Sequence, residues 1–169
     1  IGAEPMTEFI DADLLAANGG VAVDEAMRTS DPHVFAAGDI ASCDNSFYGV
    51  EMRSEHWANA HMTGTIAAHS MLGLDSDYDP LPFFFTDQYE LYMEYAGWTG
   101  RGAVDNVVIR GDLSADSFWA FWLDEQRVVA AMHVNRFDDG MESAQNLIRS
   151  RKQIDPAKLQ DTQIALAEL

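Results

Sequence analysis

Val34-Phe35-Ala36-Ala37 is an apolar run that ends on Gly38-Asp39 and follows the turn-rich Arg28-Thr29-Ser30-Asp31-Pro32. This feature constrains the fold more than any other in the chain. A short apolar run without alternation is the pattern of a strand covered on both faces, as in parallel sheets. A buried strand that runs into Gly-Asp at its carboxyl end sits where open α/β sheets bind ligands. Gly38 lets a ligand approach the backbone closely. The Asp39 carboxylate can accept hydrogen bonds from sugar or polyol hydroxyls, each charged bond contributing about 1.5–3 kcal/mol. A plain turn uses the same pair of residues, so this pattern alone leaves both readings open.

The flanking segments extend the α/β pattern. Residues 5–18 read as a helix with Pro5 near its start and Ile10, Leu14 and Leu15 on one face. Asn18-Gly19-Gly20 stops it, and residues 21–24 read as a short strand. Residues 54–72 read as a long helix with Ser54 as N-cap and Gly73 as C-cap. Its small residues Ala58, Ala60, Gly64, Ala67 and Ala68 would let it approach a sheet or a cofactor closely.

Residues 73–82 read as a linker, and the pattern changes beyond it. Residues 83–95, 104–110, 117–123 and 127–135 are rich in aromatic and β-branched side chains and are separated by turn clusters. The stretch from Trp119 to Ala130 reads as a hairpin that packs Trp119 and Trp122, and His133 falls in a strand as a structural residue. Residues 138–150 read as an amphipathic helix with Met141, Ala144, Leu147 and Ile148 on one side. The tail, 153–169, reads as a polar segment extended over the surface. The expected class is therefore α+β: an α/β segment over 1–79, then a domain of antiparallel sheet plus helix over 80–169.

Composition narrows the function. The 169-residue chain carries 10 Lys and Arg against 28 Asp and Glu, a net charge of −18. Nucleic acid and anionic membrane surfaces both need a basic footprint, so neither is an expected partner. No apolar run approaches roughly 18 residues, so no membrane span is expected. Cys43 is the one cysteine, which excludes an internal disulfide, a CxxC redox pair and a cysteine-rich zinc site. A reducing, cytoplasmic setting follows as the expectation.

The full run Thr29-Ser30-Asp31-Pro32-His33-Val34-Phe35-Ala36-Ala37-Gly38-Asp39-Ile40-Ala41 resembles the second flavin-binding motif of the FAD-dependent pyridine-nucleotide oxidoreductases. Arg53-Ser54-Glu55-His56-Trp57-Ala58-Asn59-Ala60 resembles the Arg-x-Glu-x-x-x-Asn-Ala signature of the ferredoxin and rubredoxin reductase branch, to which apoptosis-inducing factor is related. Pro82-Phe83-Phe84-Phe85-Thr86-Asp87-Gln88 is similar to that branch's Pro-Trp-Phe-Trp-Ser-Asp-Gln, with Phe85 where the second tryptophan stands. Ile1-Gly2-Ala3-Glu4-Pro5 resembles the family's Gly-x-x-Pro-Asn region, Met6 departing from Asn. The His-Pro dipeptide of the disulfide-reductase branch does not occur in the chain.

The resemblance implies that Gly38 and Asp39 hold the ribityl chain of FAD and that Glu55, His56 and Trp57 line the flavin and nicotinamide site. It also places Phe85 close to the flavin. It implies a parent enzyme that takes electrons from NAD(P)H through FAD to a ferredoxin or rubredoxin. No residue receives a catalytic role, and no metal site is expected. Such enzymes hold each dinucleotide on a Gly-x-Gly-x-x-Gly loop, and neither loop occurs in these residues. The chain therefore reads as the C-terminal part of a reductase more than twice its length, without the N-terminal FAD and NAD portion. FAD binding by these residues alone is expected to be weak or absent, and NAD(P)H oxidation absent.

The alternative is an interaction or dimerisation module of an apoptosis-inducing-factor-like flavoprotein, with a homodimer as its expected state. His56 and His61 fall on different faces of a helix, which argues against a metal site. Ser54, His56 and Asp39 lack the Gly-x-Ser-x-Gly elbow of a hydrolase. Arg149, Arg151 and Lys152 read as a solvated helix end or as a docking patch for an acidic partner.

Overall fold

A computed structural model describes residues 4–100, 104–137 and 140–169. The chain divides into two compact units, Ile1–Pro80 and Leu81–Leu169. Residues 1–3 of the Gly-x-x-Pro-Asn resemblance and residues 138 and 139 of the expected last helix lie outside the described residues.

The first unit is built on a small mixed sheet. Strand β1 (Val21–Val23) pairs in parallel with β2 (Ala41–Asn45), which pairs antiparallel with β3 (Val50–Arg53). Helix α1 (Trp57–Met71) supplies Ile66 and Ala67 to a core with Val23, Met27, Ala41 and Cys43. Phe35, Ala36, Ala37, Met62 and Tyr78 pack against that core. The helix stops where Gly73 turns to a φ of +71°, and the Leu74 amide returns to the His69 carbonyl at 2.9 Å. That left-handed stop is the C-terminal signal expected of Gly73.

Several local expectations in this unit are corrected. Residues 5–18 form no α-helix; a single 3-10 turn spans Ala12–Leu14. Ile10, Leu14 and Leu15 find only partial cover, and a helix without a packed face is marginal in water. The turn at Gly19 prevails instead: Leu15 bridges Val21, and the Ala16 amide donates to the Gly20 carbonyl at 2.8 Å. Val34–Ala37 is not a sheet strand. Phe35 makes one isolated bridge to Arg28, and the Ala36 amide donates to the Met27 carbonyl at 3.2 Å. Gly38–Ile40 is a 3-10 turn that leads into β2, so Gly-Asp opens a strand rather than closing one. Helix α1 begins at Trp57, not Ser54, because Glu55 and His56 continue extended from β3. His56, at φ −123° and ψ 142°, holds the N-cap position without a side-chain cap.

The second unit is a five-stranded antiparallel sheet. Its strands are β4 (Phe83–Gln88), β5 (Leu91–Gly97), β6 (Asn106–Asp112), β7 (Ser117–Asp124) and β8 (Arg127–Val134), in the spatial order β4-β5-β8-β7-β6. The expected hairpin is β7–β8, joined through Glu125 and Gln126, both at positive φ. Trp119 and Phe121 alternate onto one face, are fully buried, and stack at 5.5 Å with 10° between planes. Helix α2 (Met141–Ser150) buries Met141, Ala144, Leu147 and Ile148, the four residues expected on its apolar side. His133 is buried in β8 opposite Trp119, and its Nε2 lies 2.9 Å from Glu94.

The tail is not an extended polar segment. It forms helix α3 (Pro156–Gln160) and a final 3-10 turn, and it buries Ile154, Leu159 and Leu166. Arg110, 3% exposed, holds it. Its guanidinium donates to the carbonyls of Leu159, Asp161 and Ile164 at 3.4, 2.6 and 2.6 Å. One buried cation thus occupies backbone acceptors that would otherwise need water.

Candidate functional site

The Gly38–Ile40 turn is fixed against the first turns of α1. Gly38 has a φ of +74°, where a side chain is strained. Its amide donates to the Thr63 hydroxyl at 2.9 Å, and that hydroxyl donates to the Asn59 carbonyl at 2.7 Å. Thr63 is 2% exposed, so one buried hydroxyl joins the turn to the helix. A β-carbon at Gly38 would stand 3.6 Å from that of Ala60, an ordinary contact. The small residues of α1 therefore do allow a close approach, and what they admit is the turn.

Asp39 projects from this turn and is exposed. Glu55 and His56 lie on the segment that leads into α1. The sites communicate through Arg53 at the end of β3. Its Nη1 donates to the Asp39 backbone carbonyl at 3.0 Å and to Glu55 Oε1 at 2.5 Å. Arg28 and Arg53 are the only cations before residue 80, and one of them stands here.

His56 is half-buried, and that burial holds its pKa below the usual 6.5, although Asp39 and Glu55 both pull it upward. The imidazole is therefore neutral near pH 7. Trp57 is 71% exposed and stacks on His61 at 5.4 Å. Asn59 Nδ2 donates to the Ser54 carbonyl at 3.0 Å, which ties the entry segment to the helix.

The structure thus gathers Gly38, Asp39, Glu55, His56 and Trp57 around the start of one 15-residue helix. Phe85 lies in the second unit on the edge strand β4, 46% exposed, with its ring 6.4 Å from that of Phe83. Three further residues carry the site and had no role assigned from sequence: Arg53, Thr63 and Gly20. Arg53 stood inside a quoted motif. Thr63 is a lone hydroxyl on the buried side of a helix of small residues, the kind of position that calls for a partner. The spacing between Gly20 and Arg53 gives no local signal. Ser54 accepts through its backbone carbonyl and is no cap. Among the described residues no group of three or more His, Cys, Asp or Glu could hold a metal ion.

This donor and acceptor set fits an anionic, polyhydroxylated ligand. An exposed carboxylate can accept from hydroxyls, and a helix start without a side-chain cap presents the positive end of its dipole.

Comparison with known proteins gives the same direction. Residues 83–169 match the family described as reductase C-terminal, and residues 1–64 match pyridine nucleotide-disulphide oxidoreductase. The chain is 35% identical to the ferredoxin--NAD(+) reductase component of the anthranilate 1,2-dioxygenase system of Burkholderia cepacia, over 98% of this chain and 40% of that protein. A crystal structure of a ferredoxin reductase from Rhodopseudomonas palustris superimposes with a TM-score of 0.85 at 31% identity, covering 98% of this chain and 40% of that one. The reductase in a covalent putidaredoxin reductase–putidaredoxin complex gives a TM-score of 0.80 at 30% identity, covering 91% and 36%. The chain spans about 40% of the length of the curated relatives it matches. Among the described residues no helix is long and apolar enough to cross a membrane.

Proposed function

This chain belongs to the reductase C-terminal family, with a pyridine nucleotide-disulphide oxidoreductase segment ahead of that domain, and from that premise we propose that it forms part of an FAD-dependent NAD(P)H:ferredoxin reductase. The observation that carries the reading is the Gly38–Ile40 turn held against the start of α1 with Arg53 across it. Bound there, FAD would supply the chemistry that links hydride transfer from NAD(P)H to single-electron transfer to a ferredoxin or rubredoxin. Asp39 accepts hydrogen bonds from the ribityl hydroxyls. The start of α1 carries about half a positive charge and favours the flavin edge that becomes negative. His56 stays neutral and offers one donor and one acceptor without adding charge. Trp57 presents an open aromatic face. Phe85 is proposed as an aromatic neighbour of the flavin on the strength of its motif; Phe85→Ala should raise the emission of bound flavin, and unchanged emission would remove it from the site.

These residues lack both glycine-rich loops, so we expect weak or absent FAD binding and no NAD(P)H oxidation by this chain on its own. Equilibrium titration of FAD, followed by quenching of flavin fluorescence, tests the site. Saturable quenching supports it, and quenching that Asp39→Ala leaves unchanged counts against it. Stopped-flow mixing with NADH tests the rest: flavin reduction well above the protein-free rate would overturn the expected inactivity. The interaction-module alternative is not favoured, since the reductases named above match over nearly the whole chain. Capture of a ferredoxin that weakens with salt is the expected partner result.

A further inference from the structure

We propose that Arg53 is a positioning residue of the cofactor site, packed beside a glycine, Gly20, whose missing side chain leaves room for both it and the Ile40 carbonyl; the proposal rests on the reading of that site as an FAD site. Three separate segments converge on this one side chain, one at its stem and two at its guanidinium. From the first, the Asn18-Gly19-Gly20 turn, Gly20 lies so close that a β-carbon there would stand 2.9 Å from Arg53 Cδ and 2.8 Å from the Ile40 carbonyl oxygen. A backbone oxygen cannot step aside as a side-chain end can, so Gly20 answers a demand for space. The turn itself is anchored in the sheet, since Asn18 accepts from the Gly20 amide at 3.1 Å and donates to Ser42 Oγ at 2.7 Å.

The second segment is the Gly38–Ile40 turn, whose Asp39 carbonyl accepts from Nη1. The third is the entry to α1, whose Glu55 carboxylate accepts from the same nitrogen. The Arg53 side chain is 19% exposed and Glu55 is 40% exposed. A surface pair of this kind contributes little to stability. Its value lies in geometry: Arg53 sets the distance between the Asp39 carboxylate and the start of the helix, the two features that the ligand must meet together. The guanidinium can do this because its Nη1 carries two coplanar N–H donors and stands one bond further from the backbone than a lysine ammonium. A lysine ammonium, on its shorter stem, would have to give up one of the two acceptors to reach the other.

The test compares the wild-type chain with Arg53→Met and Arg53→Lys. Circular dichroism and a cooperative thermal transition establish that each is folded. Amide exchange is then read at 38–41 and 54–56, and FAD is titrated into each. Arg53→Met should exchange at least tenfold faster in both segments, leave the exchange of β7 and β8 unchanged, and bind FAD at least tenfold more weakly. Arg53→Lys should restore protection to one segment and recover part of the affinity. Unchanged exchange at both segments overturns the proposal, as does FAD affinity equal to wild type. If the wild-type chain binds no FAD, as the missing glycine-rich loops allow, the exchange result alone decides whether Arg53 fixes the two segments.

Discussion

The two units handle an arginine differently. In the second unit Arg110 is 3% exposed, and its donors are spread over three carbonyls of the tail. The cation is absorbed by structure. In the first unit the Arg53 side chain is 19% exposed, and one nitrogen serves two acceptors, a turn carbonyl and a carboxylate. The cores differ in the same sense. The second contains Trp119, Phe121 and Leu159 at 0% exposure, whereas the first is closed by Val23, Met27, Ala41, Cys43, Ile66 and Ala67 and leaves Trp57, Met71 and Leu72 open to solvent. Large, fully covered side chains contribute most to burial energy. Stability is therefore expected to concentrate in the second unit and binding chemistry in the first.

The sharpest way to break that contrast is to empty the second core. Trp119→Ala should cost about 3–5 kcal/mol, the usual penalty for a fully buried aromatic. Urea unfolding with site-resolved probes would show the second unit melting first; loss confined to the first unit would refute the division. Next in size is Arg110→Met, which strips the guanidinium from three carbonyls and should cost about 3 kcal/mol. Amide exchange at 155–169 should rise with it. Unchanged exchange there would mean that Ile154, Leu159 and Leu166 hold the tail by packing alone.

Smaller effects belong to the first unit. Thr63→Val removes the hydroxyl that accepts from Gly38 and should cost about 1 kcal/mol. It should loosen the Gly38–Ile40 turn while β6, β7 and β8 stay protected. The smallest is a pH effect from His56. Its pKa is lowered by burial, so the folded state binds fewer protons than the unfolded state just below pH 6.5. Stability from this group is present above 6.5, falls as the unfolded chain takes up its proton, and levels off below the folded pKa. Comparing wild type with His56→Gln from about pH 7.5 to about pH 5.5 isolates it. The wild type should lose stability relative to the variant on acidification, and a gain would reverse the sign.

Sequence patterning read the second unit well because its signals are local. Alternation around Trp119 and Phe121, the turn at Glu125-Gln126 and the apolar side of α2 all depend on near neighbours. It failed on the tail because Ile154, Leu159 and Leu166 are spaced too widely for any period, and the tail's carbonyls meet an arginine, Arg110, far away in sequence. In the first unit the motif around Gly38-Asp39 was legible, but its placement was not. Val34–Ala37 has a strand's composition, yet its backbone pairs with Met27 and Arg28 at isolated points, and the real strand begins after the Gly38 turn. Ser54 has a cap's side chain, yet the pull of β3 and the Arg53–Glu55 pair delays the helix to Trp57. Arg53 and Gly20 meet only in three dimensions.

The most direct test of this division is an FAD titration followed amide by amide in the nuclear magnetic resonance spectrum of the intact chain. Saturable shifts should appear at Gly38–Ile40, Arg53, Glu55 and the first turn of α1, and the strands β6, β7 and β8 should stay still. Shifts centred on the second unit's buried strands, with none at the Gly38–Ile40 turn, would contradict the assignment of the chemistry to the first unit.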